Sequence, residues 1–139
     1  MKRSKLLSPY KKTDKGKKTT FDIWQKSGVY IIYEKRKIVY VGESSNNLYR
    51  TMYRHFQSWN DESQYRATFD PNKVKVRVIL CTALQAAKLE AALILKYYPQ
   101  KNKDLYKGFK MDSSEEKILE KFESLKDSPI VEYTTEVPF

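Results

Sequence analysis

The amino-acid sequence predicts an α/β (α+β) fold: a small three-stranded antiparallel sheet flanked by helices. Two β-branched and aromatic runs, SGVYIIY and KIVYVG, are separated only by Glu34, Lys35 and Arg36, which reads as a hairpin. A third run, KVKVRVILC, alternates apolar and charged residues as a half-buried strand does. The segments between and after these runs carry helical periodicity. With 139 residues there is material for one core plus tails, not two cores of ordinary size.

Taken in order, residues 1–18 hold eight Lys/Arg and one Asp among few apolar side chains, so residues 1–20 are expected to be a flexible basic arm. In the hairpin, a three-residue loop pairing Tyr33 with Lys37 sets Val29 opposite Val41, Ile31 opposite Val39 and Tyr30 opposite Tyr40. One face is then aliphatic, and the other carries Tyr30, Ile32, Ile38 and Tyr40. A two-residue loop would put the two tyrosines on opposite faces. The run ESSNNLYRTMYRHFQSW opens with N-cap residues and continues as an amphipathic helix. Leu48, Met52, His55 and Trp59 form its stripe, Tyr49, Tyr53 and Phe56 the flank, and Arg50 and Arg54 share another face.

Asp70-Pro71-Asn72 signals a turn. In the third strand Val74, Val76, Val78 and Leu80 point inward, Lys75 and Arg77 outward. A long helix is expected from about Ala83 to Tyr98, closed by Pro99. An irregular stretch holding Asn102 follows, then a helix around 113–126 built on Ile118, Leu119, Phe122 and Leu125, and a short strand at 130–133. Residues 21–111 therefore read as the main domain and 112–139 as a helix and strand packing on it.

The net charge is +10, while residues 112–139 alone sum to −5. No stretch reaches the roughly 18 to 20 apolar residues of a membrane span, and no apolar run follows the N-terminal charges, so a cytoplasmic location is expected. One cysteine (Cys81) and one histidine (His55) exclude an intramolecular disulfide and a zinc site of several Cys or His ligands. Chemistry must then use oxygen ligands, Tyr, Lys and Arg.

Glu90 is the most informative single residue. It lies in LEAALILKYY among apolar neighbours, turned away from the face defined by Gln85, Lys88 and Lys96. An ionised carboxylate on that side must meet a metal or an arginine, or else titrate upward.

With the hairpin, the order of residues resembles the GIY-YIG nuclease family. Gly28-Val29-Tyr30 resembles the first signature triplet and Tyr40-Val41-Gly42 the second; Arg50 follows at the family's spacing, then Glu90 and Asn102. The resemblance covers about residues 27–104. One departure is that family members carry a His or Tyr four residues after the arginine. Here that position is Arg54, and His55 is one step further.

The resemblance implies hydrolysis of DNA phosphodiesters with Mg²⁺ or Mn²⁺ at Glu90. It gives catalytic roles to Tyr30, Tyr40, Arg50, His55 and Glu90, with Tyr30 as the base once nearby positive charge lowers its pKa. Arg54 and Asn102 join the substrate-binding set. Lys35, Arg36, Lys37, Lys75, Arg77 and the basic arm are available to backbone phosphates, which give affinity without sequence choice. These 139 residues leave no room for an appended DNA-binding domain. Weak sequence preference, selection of a DNA structure, or a targeting protein partner is therefore expected, with nucleoid association in keeping. The alternative is a catalytically impaired binding module on the same scaffold; an RNA-binding role rests on charge alone.

Overall fold

The computed structural model describes residues 1–14, 16–56 and 67–128. Its elements are β1 (Lys2–Ser4), β2 (Tyr10–Thr13), β3 (Gly16–Thr19), β4 (Gly28–Glu34), β5 (Lys37–Ser44), α1 (Leu48–Tyr53), β6 (Lys75–Leu80), α2 (Ala83–Tyr97), a 3₁₀ turn (Gln100–Asn102), α3 (Ser113–Ser124) and β7 (Asp127–Ser128).

The hairpin β4–β5 and the antiparallel pairing of β4 with β6 form the expected three strands, but the sheet is larger. It has five strands in the order β5-β4-β6-β1-β7, with β1 antiparallel to β6 and β7 parallel to β1. Of the two extra strands, β1 comes from the segment expected to be a flexible arm and β7 from the stretch after α3. That expectation is corrected by pairing that hydropathy does not signal: β6 has an open edge, and the backbone of Lys2 and Arg3 pairs along it. The Val78 amide donates to Ser4 Oγ at 2.8 Å, and Leu7 and Val76 exchange amide–carbonyl bonds further along. Asp127 on β7 accepts from Arg3 at 2.9 Å and also pairs with Arg77, fixing the short outer strands. Strands β2 and β3 form a separate two-stranded sheet.

Strand alternation sorts the core into two layers. Tyr30, Ile32, Val39, Val74, Val76 and Val78 pack under α1 with Leu48, Met52, Phe56 and Phe69. Val29, Ile31, Val41 and Ile79 pack against Ala86, Leu89, Ala92 and Leu93 of α2 and Ile118, Leu119 and Phe122 of α3. Both long helices begin with reciprocal capping boxes, Thr82 with Gln85 and Asp112 with Glu115. Helix α2 ends one residue earlier than expected, because Tyr98 takes a left-handed C-cap before Pro99. The strand expected at 130–133 and Trp59 lie outside the described residues.

The hairpin register differs from the expected one. Its loop is the two-residue Lys35-Arg36, both with positive φ (50° and 67°). A bulge beside Ile32/Tyr33 leaves Val39 as an extra residue, so Ile32 faces Tyr40 and Tyr30 faces Gly42. The added residue restores the parity that the shorter loop removes. Tyr30 and Tyr40 therefore share a face, whereas Ile38 and Val39 exchange the faces expected of them.

Candidate active site

Tyr30 is held in the middle of β4 at 1% exposure, directly across from Gly42. A Cβ at Gly42 would lie 2.3 Å from both the Cζ and the Oη of Tyr30. Only glycine lets the phenol lie across β5, the edge strand of the sheet. Tyr30 Oη is 2.7 Å from His55 Nε2, and His55 Nδ1 is 2.6 Å from the carbonyl oxygen of Ala67. A carbonyl only accepts, so Nδ1 carries the proton of neutral His55. Its Nε2 is then a lone pair that accepts from the Tyr30 hydroxyl.

His55 reaches this position because the turn after α1 tightens. Its amide and that of Phe56 bond three residues back, to Met52 and Tyr53, at 3.0 and 2.9 Å. At about three residues per turn His55 stacks over buried Met52, while Arg54 stays exposed. The one-residue departure in sequence spacing is thus absorbed by a change in helix type, and it is His55 that meets Tyr30.

The Tyr40 ring packs on His55 at 4.6 Å between centroids and on Tyr30 at 6.1 Å, with Phe69 closing behind Tyr40 and His55. Tyr40 remains partly exposed and is the outer phenol of the pair. Burial pushes the Tyr30 hydroxyl well above the ordinary phenol range, and Tyr40, Glu90 and Glu43 push it further the same way. Of the cations expected to lower it, neither Arg50 nor a lysine is among the groups of the described residues that shift it. Burial and then Glu90 raise Tyr40, while hydrogen bonding with Tyr30 works against the rise.

Glu90, on α2, is half-buried and makes no ion pair among the described residues. Burial, then the charge of Glu43, lifts its carboxyl from 4.5 to about 7. Of the three fates open to it, upward titration is what the protein alone produces; a cation would reverse both causes. Glu43 was missed in the sequence, though alternation offered a signal: it is two residues past Val41, on the face that packs against α2.

The donors suit a hard divalent ion, since carboxylate oxygens are its preferred ligands. Among the described residues no group of three or more His, Cys, Asp and Glu side chains gathers. Glu90, with Glu43 close enough to raise its pKa, is a carboxylate that could hold such an ion.

Arg50 and Arg54 line an open polar groove with Trp24, Gln25, Asn46, Asn47 and Thr51, the Arg50 guanidinium lying 5.9 Å over the Trp24 ring. Neither arginine is among the groups that shift Tyr30, Tyr40 or Glu90. Asn102 is committed to the protein. Its Oδ1 accepts from the Val41 amide at 3.0 Å and its Nδ2 donates to the Val41 carbonyl at 2.9 Å, capping the open edge of β5 as another strand would. Arg77 is likewise engaged by Asp127 and the Ser4 carbonyl, and Lys75 donates to Ser8. Lys35, Arg36 and Lys37 stand exposed at the hairpin tip, at least five residues and roughly 16 Å along the strand from Tyr30.

The model of the GIY-YIG catalytic domain matches residues 26–104, more than half of the chain. The chain belongs to the GIY-YIG family. No curated protein and no solved structure gives a match. The GIY-YIG unit takes in β4, β5, α1, β6, α2 and the 3₁₀ turn, and every residue of the geometry above except Trp24, Gln25 and the partners Ser4, Ser8 and Asp127. It leaves β1–β3, α3 and β7 outside. A GIY-YIG domain is a nuclease domain, generally dependent on a divalent metal, whose substrate is nucleic acid. Among the described residues no helix is long and apolar enough to cross a membrane.

Proposed function

We propose that this protein is an endonuclease that hydrolyses DNA phosphodiesters with the help of Mg²⁺ or Mn²⁺. The hydrogen bond from Tyr30 to His55 Nε2 is the observation that supports it most. Among the described residues no cation is among the groups that shift Tyr30, so it is useful in proton transfer only if its own proton has somewhere to go. His55, with Nδ1 tied to Ala67, supplies that acceptor. The attacking water gives its proton to the phenol pair, entering at the more exposed Tyr40. Tyr30 passes a proton to His55, and imidazolium forms as the phosphorus–oxygen bond is made.

Glu90, with Glu43 close enough to raise its pKa, holds the divalent ion; bound there, the ion supplies Lewis-acid neutralisation of the scissile phosphate and its leaving oxygen. Arg50 binds a non-bridging oxygen. Substrate choice is by DNA structure or by a targeting partner, because lysines and arginines on phosphates carry no base information.

The burial of Tyr30 favours a second reading, in which the scaffold binds DNA without cutting it. Plasmid and branched DNA incubated with the purified protein, with and without Mg²⁺, separate the two. The proposal expects metal-dependent cleavage that Glu90→Ala abolishes while DNA binding persists. Cleavage retained by highly purified Glu90→Ala protein would remove Glu90 from the site, and intact DNA under every condition would leave the binding module.

A further inference from the structure

We propose that the β2–β3 hairpin is a rigid basic ribbon that grips the phosphate backbone of duplex DNA beside the Tyr30–His55 face. What it delivers there rests on the nuclease reading above; that it binds does not.

Four of its eight strand residues are lysines, arranged in like-charge pairs directly across the two strands: Lys11 opposite Lys18 and Lys12 opposite Lys17. Such pairs oppose strand formation, lysine is a poor strand former, and an isolated two-stranded hairpin is marginal to begin with. A polyanion placed along the lysines turns the mutual repulsion into attraction. The only acid between Tyr10 and Thr19 is Asp14, in the turn.

The ribbon is also fixed relative to the site. The Tyr10 ring packs edge-on against Phe56 at 5.6 Å, and Phe56 follows His55 in the chain. Thr13 Oγ1 donates to the Gly16 carbonyl at 2.6 Å and closes the turn. At the base the Thr20 amide bonds the Pro9 carbonyl at 3.0 Å, and Thr19, Thr20 and Phe21 are buried. Tyr10, Phe56, Tyr30 and Phe69 belong to one core layer, so the hairpin stands on the same side of the sheet as the two phenols and His55.

Backbone alternation places Lys12 and Lys17 on the face shared with Tyr10 and Lys11 and Lys18 on the other, and Lys11, Lys12 and Lys17 all border a cavity with Ser8, Tyr10, Pro71 and Asn72. Positive charge on both faces of a two-stranded ribbon matches a duplex groove, which has a phosphate wall on either side. The hairpin lies outside the family match of residues 26–104, so this surface belongs to this chain and not to the shared nuclease unit.

The test is duplex binding by fluorescence anisotropy against salt, in EDTA so that cleavage plays no part. It compares the full-length protein with a fourfold variant, Lys11→Gln, Lys12→Gln, Lys17→Gln and Lys18→Gln, and with the fourfold Lys→Arg variant. Each phosphate contact contributes about 0.9 to the slope of log K against log salt, so four lost contacts lower it by about 3.6. Between 50 and 200 mM salt the parent should then lose roughly 150-fold more affinity than the glutamine variant. The arginine variant should restore the slope, and the glutamine variant should keep the parent's melting temperature, so that the change in slope reports lost charge and not lost fold. A slope changed by less than about one contact's worth, or not restored by arginine, overturns the proposal. So does a glutamine variant whose affinity loss tracks a lowered melting temperature. A parent that binds with this slope yet cuts nothing under any metal refutes the nuclease reading and leaves the ribbon standing.

Discussion

Replacing Glu90 by glutamine should make the protein more stable at alkaline pH, by an amount set by where the carboxylate sits. In the unfolded chain this group releases its proton near 4.5; in the fold, burial and Glu43 hold the proton on until about 7. Between those values the native state binds more protons than the unfolded state, so stability falls as pH rises and levels off above about 7. At about 1.4 kcal/mol per pH unit, the gap costs the folded protein about 3 kcal/mol at pH 8. Glutamine has the same shape and does not titrate. At about 3 °C per kcal/mol for a chain of this size, its advantage is roughly 10 °C in melting temperature at pH 8 and close to zero at pH 4.5.

Thermal unfolding of parent and Glu90→Gln from pH 4.5 to 8.5 in EDTA measures this difference directly. Replacing EDTA by Mg²⁺ should raise the parent toward the variant at pH 8 and shift the variant less, because the variant keeps only Glu43 to attract the ion. A parent–variant difference that stays flat across the pH range would show that Glu90 is ionised in comfort, paired or solvated. The argument for a cation at that position would then fail.

Three further substitutions probe the rest of the site. Tyr30→Phe keeps the ring and removes the proton carrier, so single-turnover cleavage at saturating DNA should drop on the order of 100-fold or more while DNA affinity holds; equal loss of affinity would make Tyr30 a packing residue. Gly42→Ala drives a methyl into the phenol 2.3 Å away and should cost about 1–3 kcal/mol by denaturant unfolding, with cleavage lost because Tyr30 is pushed off His55. Asn102→Ala strips both partners from the Val41 peptide and should cost about 1–3 kcal/mol, read most locally as faster hydrogen exchange of the Val41 amide.

Which of these features the sequence discloses depends on whether a periodic pattern or a single contact carries them. Strands β4, β5 and β6 and helices α2 and α3 each bury a face several residues long, so alternation or a 3.6-residue stripe announces them. Glu90 was legible for the same reason, as a charge interrupting an apolar stripe. Strand β1 buries almost nothing of its own and pairs through backbone and Ser4, and β2–β3 is half lysine; neither has a pattern to read. The engagements of Asn102 with Val41 and of Arg77 with Asp127 join residues 61 and 50 apart. No local rule separates a side chain that waits for substrate from one already spent on the fold.

The hairpin shows why a face can be read correctly from a wrong register. Side chains alternate with a period of two, so the expected pairing of Tyr30 with Tyr40 and the observed pairing of Tyr30 with Gly42, two residues away, put the tyrosines on the same side. The two-residue loop alone would have separated them. Lys35 and Arg36 carry none of the Asn-Gly chemistry that advertises such a loop, and the compensating bulge at Val39 has no glycine to mark it. The slip nevertheless changes what the second triplet is for. Facing each other across the strands, the two phenols would compete for one space; with Tyr30 opposite Gly42, the missing side chain of β5 becomes the channel in which the Tyr30 hydroxyl lies. Tyr40 is thereby left free to stand outside it, against His55.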